Sequence, residues 1–206
     1  SSCSVYGIGQ EHLTELSDLS PVSLYAQCKI QCENVILSYN SEKFSPTILR
    51  FATLFGASYR PRFDLFVNLL TAQSIFDGEL TVFGGKQWRP LISVHDAARA
   101  IVLCLESSLE LVSGQIFNTG DQALNYQVAE VGREIQRVFP GTRMVQENND
   151  DDSRNYYVDF SKIHKALGYN CETSLREGIA EIAEMINARN ISDYKFKYYH
   201  NLLTLS

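Results

Sequence analysis

Residues 1–29 read SSCSVYGIGQEHLTELSDLSPVSLYAQCK. The opening Ser1–Gln10 reads as the end of a strand running into a loop. A polar stretch follows, and Pro21 then opens a helix expected over 21–39, with Ile30, Val35, Ile36 and Leu37 as its apolar positions. On that helix Tyr25 and Lys29 stand four residues apart and share a face. An ordinary phenol, with a pKa of about 10, is too weak an acid to exchange protons at neutral pH. An ammonium one turn away favours the phenolate form. A hydroxyl at the end of the preceding strand can hold the same substrate oxygen, and Ser2 stands there.

Working outward, strands and helices alternate. PTILRFATLFG (46–56) is expected as one buried strand broken at Gly56, followed by an Arg-, Tyr- and Pro-containing loop over 57–63. A helix fits 64–74, and LTVFGG (80–85) is a short strand ended by paired glycines. KQWRPLIS occupies 86–93. A helix over 95–107 carries Ala98, Ile101, Val102 and Leu105 on one face, with His95 and Asp96 at its start and Asp96 as its cap. GQIFNTGD (114–121) reads as a strand. Asn125 is expected to cap a helix over 126–138, stopped by Pro140-Gly141. ENNDDD (147–152) reads as a solvated loop. YYVDF (156–160) leads to a short helix ended by Gly168. Ser174-x-x-Glu177 is a capping-box pattern opening a helix over 175–188. The tail 189–206 is aromatic and irregular. Alternation of this kind predicts an α/β fold.

The 206 residues are 45% hydrophobic, enough for one core or one core and a small lobe. With 24 acidic against 18 basic residues the chain carries a formal charge of −6, which argues against a nucleic-acid partner. A few arginines suffice for an anionic small ligand, however. The five cysteines form no CxxC pair, so no metal site is expected. No apolar run reaches membrane length and no signal segment opens the chain, so no membrane partner and a cytoplasmic location are expected.

Several motifs occur in a fixed order. These are Ser2-x-x-Val-Tyr-Gly7, Tyr25-x-x-x-Lys29, Leu49-Arg-Phe-Ala-Thr-Leu-Phe-Gly56, Arg62-Phe-Asp-Leu65, Val82-Phe-Gly-Gly85 with Gln87-Trp-Arg89, Ser93-Val-His-Asp-Ala-Ala98, Phe117-Asn-Thr-Gly120 and Tyr156–Lys162. Together they resemble the extended short-chain dehydrogenase/reductase family, the NAD-dependent sugar-nucleotide epimerases and dehydratases. The resemblance implies the C-terminal part of a Rossmann-like doubly wound parallel sheet plus a small α/β substrate-binding lobe. Residues 1–60 would belong to the dinucleotide-binding domain and 61–206 mostly to the lobe, with 86–120 returning to the Rossmann sheet. It implies Ser2, Tyr25 and Lys29 as catalytic residues. Tyr25, Lys29, Phe51 and Thr53 would face the NAD or NADP cofactor. Thr53, Asp64, Leu65, Phe83, Arg89 and Arg154 would face a nucleotide-sugar substrate. Arg89 would fork onto its phosphates. A homodimer through the tyrosine-bearing helix is implied as well.

The sequence departs from the family in three places. The GxxGxxG loop and the first strands that hold the pyrophosphate have no counterpart, about 110 residues in all, so a dinucleotide should bind this chain weakly or not at all. Cys3 and Ser4 stand where dehydratases carry Asp-Glu, which argues against dehydration and for epimerisation or reduction through a keto sugar. Asn149 stands where many relatives have a second phosphate-binding arginine. A non-catalytic relative that binds or scaffolds a nucleotide sugar is the alternative reading.

Overall fold

The computed structural model describes residues 1–8, 12–147 and 154–201. Ser2 forms a parallel bridge to Phe51 and then caps a 3-10 turn, Cys3–Tyr6, its hydroxyl accepting from Ser4 N–H at 3.1 Å. Helix α1 spans Leu24–Ser38; Ser23 caps it through Ala26 N–H. Only Ala26 and Glu33 of α1 are buried, and Val35 and Ile36, two of its expected core positions, are exposed.

The segment expected as one strand divides at Ala52. β1 (Ile48–Phe51) pairs in parallel with β5 (Ile116–Thr119), while β2 (Thr53–Phe55) pairs in parallel with β4 (Trp88–Ser93). One run of apolar residues thus serves two sheets. Between them come α2 (Phe66–Phe76) and β3 (Glu79–Phe83). KQWRPLIS, left unassigned from sequence, supplies β4. It is followed by α3 (Val94–Glu106) and the single turn α4 (Leu109–Val112). The buried face of α3 is Ala97 and Ala100; the apolar face expected to pack, Ala98, Ile101, Val102 and Leu105, is exposed. Ser93, not Asp96, caps α3.

β6 (Asn125–Gln127) pairs antiparallel with β4. Asn125 therefore lies in a strand rather than capping α5 (Val128–Val138), whose N-cap is Gln127. The Asn125 amide instead grips Val158, donating to its carbonyl at 3.0 Å and accepting from its N–H at 3.1 Å. β7 (Arg143–Glu147) pairs in parallel with β3, a strand not foreseen. Of the acidic run, residues 148–152, with Asn149, lie outside the described residues. α6 (Ser161–Leu167) ends at left-handed Gly168, and α7 (Leu175–Ala188) begins with the Ser174/Glu177 capping box.

The main core lies where α2, α5 and α7 cover β2 and β3, around Phe55, Phe63, Val67, Leu80, Ile135 and Ile182. α7 can lie this close to β2 because residue 178 is glycine: a Cβ there would stand 2.1 Å from the Phe55 ring. A second cluster packs Val5, Tyr6, Ile92 and Val158 beneath the first turn.

Candidate active site

Two groups of side chains frame the chemistry. The first surrounds the start of α1. Lys29 reaches back one turn, its Nζ 5.3 Å from the centre of the Tyr25 ring. Helical spacing thus places the ammonium over the phenol's face. Tyr25 is 56% exposed, so its hydroxyl is open to a ligand. The turn that carries Ser2 packs against α1. The Ser2 hydroxyl accepts from Ser4 N–H, which leaves its own proton available to donate. Ser4 Oγ is buried without a hydrogen-bond partner.

A buried ion pair joins α1 to the sheet. Arg50 Nη2 lies 2.7 Å from Glu33 Oε2, with side chains 3% and 4% exposed. Arg50 Nε also donates to Glu33, and Nη1 donates to the Tyr6 hydroxyl at 3.0 Å. Tyr6 in turn donates to Asn118 Oδ1 at 2.7 Å, and Ser1 Oγ donates to Glu33. Burial works against the guanidinium's charge, but the hydrogen bonds to Glu33 outweigh it and hold Arg50 protonated. Burial raises the Cys3 thiol, which donates to the Arg50 carbonyl. Cys3 is thus held neutral and turned inward.

The second group lines a cleft of about 290 Å³ between α2, β3 and β4. Thr53, Asp64, Leu65, Phe83, Arg89 and Arg154, the six residues expected at the substrate, all line it. Phe51 does not; it borders a different depression with Ser1 and Leu105. Leu65 is the N-cap of α2 and offers no side-chain cap to the helix's first-turn N–H groups. Helix N-termini of this kind favour anions.

Arg89 is 5% exposed and rigidly held. Its Nη1 donates to the Trp88 carbonyl at 2.8 Å and to the Arg154 carbonyl, and its guanidinium lies 5.8 Å from the Tyr156 ring centre. Asp64 accepts two bonds from Arg62, at 2.9 and 2.8 Å, and one from Asn201 N–H at 3.0 Å. Burial raises its carboxyl, yet these bonds prevail and hold it below the usual carboxylate range. Its charge is therefore largely spent inside the protein. Gln87 closes the 83–87 turn, donating to the Phe83 carbonyl and accepting from Gly85 N–H.

Sequence reading missed Glu33 and the α2 side chains Phe66, Leu69 and Gln73 that share the cleft wall. The last three were within reach, since they follow Leu65 at helical spacing. His95 lies on the first turn of α3, 3.6 Å from Glu181. Among the described residues no helix is long and apolar enough to cross a membrane.

Three comparisons bear on this arrangement. The model of the NAD dependent epimerase/dehydratase family matches residues 1–120. A Bacillus subtilis protein described as an uncharacterized UDP-glucose epimerase is 31% identical over 188 residues, 89% of this chain and 58% of that protein. UDP-glucuronic acid decarboxylase 1 of Arabidopsis thaliana is 27% identical over 205 residues, 94% of this chain and 46% of the relative. The chain thus spans about half the length of these relatives. Among solved structures, MoeE5 in complex with UDP-glucuronic acid and NAD superposes with a TM-score of 0.78 at 26% identity, covering 92% of this chain and 64% of that one. UDP-glucuronic acid 4-epimerase from Bacillus cereus, at 24% identity and a TM-score of 0.80, covers 92% of this chain and 60% of its own. That likeness establishes the shared α/β Rossmann-type fold.

Proposed function

The chain belongs to the NAD dependent epimerase/dehydratase family, and from that premise we propose that it forms the substrate-binding and catalytic part of a nicotinamide-dependent enzyme that epimerises or reduces a nucleotide-activated sugar. The observation that carries this reading is the convergence of Thr53, Asp64, Leu65, Phe83, Arg89 and Arg154 on one cleft. Two guanidinium groups and an uncapped helix N-terminus suit a diphosphate, while Leu69, Val82 and Phe83 suit a flat base. The nucleotide sugars named for the relatives have this composition.

The residues around α1 fit a nicotinamide cofactor. An exposed phenol with an ammonium over its ring stands there, and the turn that Ser2 caps packs against the same helix, with half-buried Phe51 bridged to Ser2. NAD or NADP, when bound, takes up and returns the hydride of a sugar carbon. Tyr25 takes the proton of the hydroxyl on that carbon, giving a keto sugar, and returns it after the sugar has turned. Lys29, its ammonium over the Tyr25 ring, would hold the cofactor's ribose. Ser2 donates to the same sugar oxygen and fixes its direction. Neutral, inward-turned Cys3 cannot act as an acid or base, which disfavours dehydration. The division at residue 60 and a homodimer through α1 belong to the same reading. Leu24, Val35, Ile36 and Tyr39 form an exposed, largely apolar surface on that helix.

The test is Tyr25→Phe in the product of the whole open reading frame. Turnover of the nucleotide sugar should fall by about 10²–10⁴-fold, with nucleotide binding unchanged. Turnover at the wild-type rate would contradict the mechanism.

A further inference from the structure

Gln73 lies on the face of α2 that also carries Leu65, Phe66, Leu69 and Leu70 into the cleft. Its Oε1 accepts from Thr81 N–H at 3.2 Å. A backbone N–H can only donate, so this bond fixes which way the amide is turned: the oxygen faces β3 and the NH2 group faces away. Among the described residues that NH2 group has no acceptor. Gln73 is eight residues beyond the uncapped α2 N-terminus, a distance of about 12 Å along the helix. A nucleoside diphosphate with its phosphates at Leu65, Arg89 and Arg154 spans a comparable length. Its base would then lie between Leu69 and Phe83, with its polar edge toward Gln73.

We infer that Gln73 selects the nucleobase: its NH2 group donates to the carbonyl at position 4 of a 4-oxopyrimidine and cannot pair with the amino group of a 4-aminopyrimidine. Discrimination arises because the amino group would meet a second donor, leaving both unpaired in a partly dry site. This inference rests on the nucleotide reading of the cleft given above, and adds the base to it.

The 206-residue chain should be titrated calorimetrically with UDP and with CDP at pH 8. Wild type should bind UDP about tenfold or more tightly than CDP. Gln73→Glu keeps an oxygen for Thr81 N–H and replaces the donor by an acceptor, so its preference should invert toward CDP. Gln73→Met removes both polar groups, and the two affinities should come within about twofold. Each ratio compares two ligands on one protein, so a partial loss of folded material cancels. An undiminished UDP preference in both variants overturns the role of Gln73 while leaving the cleft a nucleotide site. Failure of wild type to bind either diphosphate overturns the nucleotide reading itself, and this inference with it.

Discussion

Arg50 and Glu33 put two full charges into the interior, each almost wholly hidden from solvent. Taking a charge out of water is costly, and the pair survives because every partner is present: Tyr6, Ser1 and two carboxylate oxygens satisfy the guanidinium and the acid. Removing one partner strands the other. Glu33→Ala should therefore lower unfolding free energy by about 3–5 kcal/mol, read from urea denaturation, whereas replacing both residues by apolar ones should cost much less. A single-variant loss below ~1 kcal/mol would show that water reaches the pair. This feature was not legible in the sequence. Glu33 sits two turns beyond Tyr25 on the same helix, but a glutamate in a helix reads as a surface residue unless its partner, 17 positions away, is known. By contrast, the four-residue spacing of Tyr25 and Lys29 did place both on one helix face, with Lys29 Nζ 5.3 Å from the Tyr25 ring centre.

At the level of elements, Asp96 fastens α3 to the chain entering α7. Its carboxylate accepts from Glu172 N–H at 2.9 Å, Thr173 N–H at 3.0 Å, the Ser93 hydroxyl at 2.8 Å and Arg99 at 2.8 Å. Burial works to raise its pKa, but the Glu172 N–H, the Ser93 hydroxyl, the Thr173 N–H and Arg99 together hold it below its ordinary 3.8. A group depressed in the folded state contributes stability that is fully present above its unfolded value and lost as pH falls through the folded one. Below about pH 4, wild type should thus lose stability more steeply than Asp96→Asn. At pH 7 the variant should be weaker by roughly 1–3 kcal/mol. Parallel pH profiles for the two proteins would contradict the assignment. The sequence had marked Asp96 as a cap, and the capping belongs to Ser93. Helices were otherwise well marked by their ends, as at Ser174 and Gly168. Strands were less so: 46–56 hides a change of sheet at Ala52, and β7 has no alternation to announce it.

For the molecule as a whole, the cleft is built from five separate stretches of chain, around residues 53, 64–73, 81–89, 128 and 154. No local pattern joins them; only the ordered run of motifs did, which is why Thr53, Asp64, Leu65, Phe83, Arg89 and Arg154 were expected together and the α2 wall was not. The exposed apolar faces of α1 and α3 show the converse limit. Periodicity marks an apolar face and does not say what covers it. The central claim is that this cleft holds a nucleotide sugar through its arginine end. Trp88, the sole tryptophan, adjoins Arg89, so its emission reports on that end. The most direct measurement is a titration of the chain with UDP-glucose, followed by Trp88 fluorescence, for wild type and Arg154→Ala. The account predicts saturable one-site binding that weakens by about tenfold or more in the variant. No saturation at millimolar ligand, or equal affinity in both proteins, would contradict it.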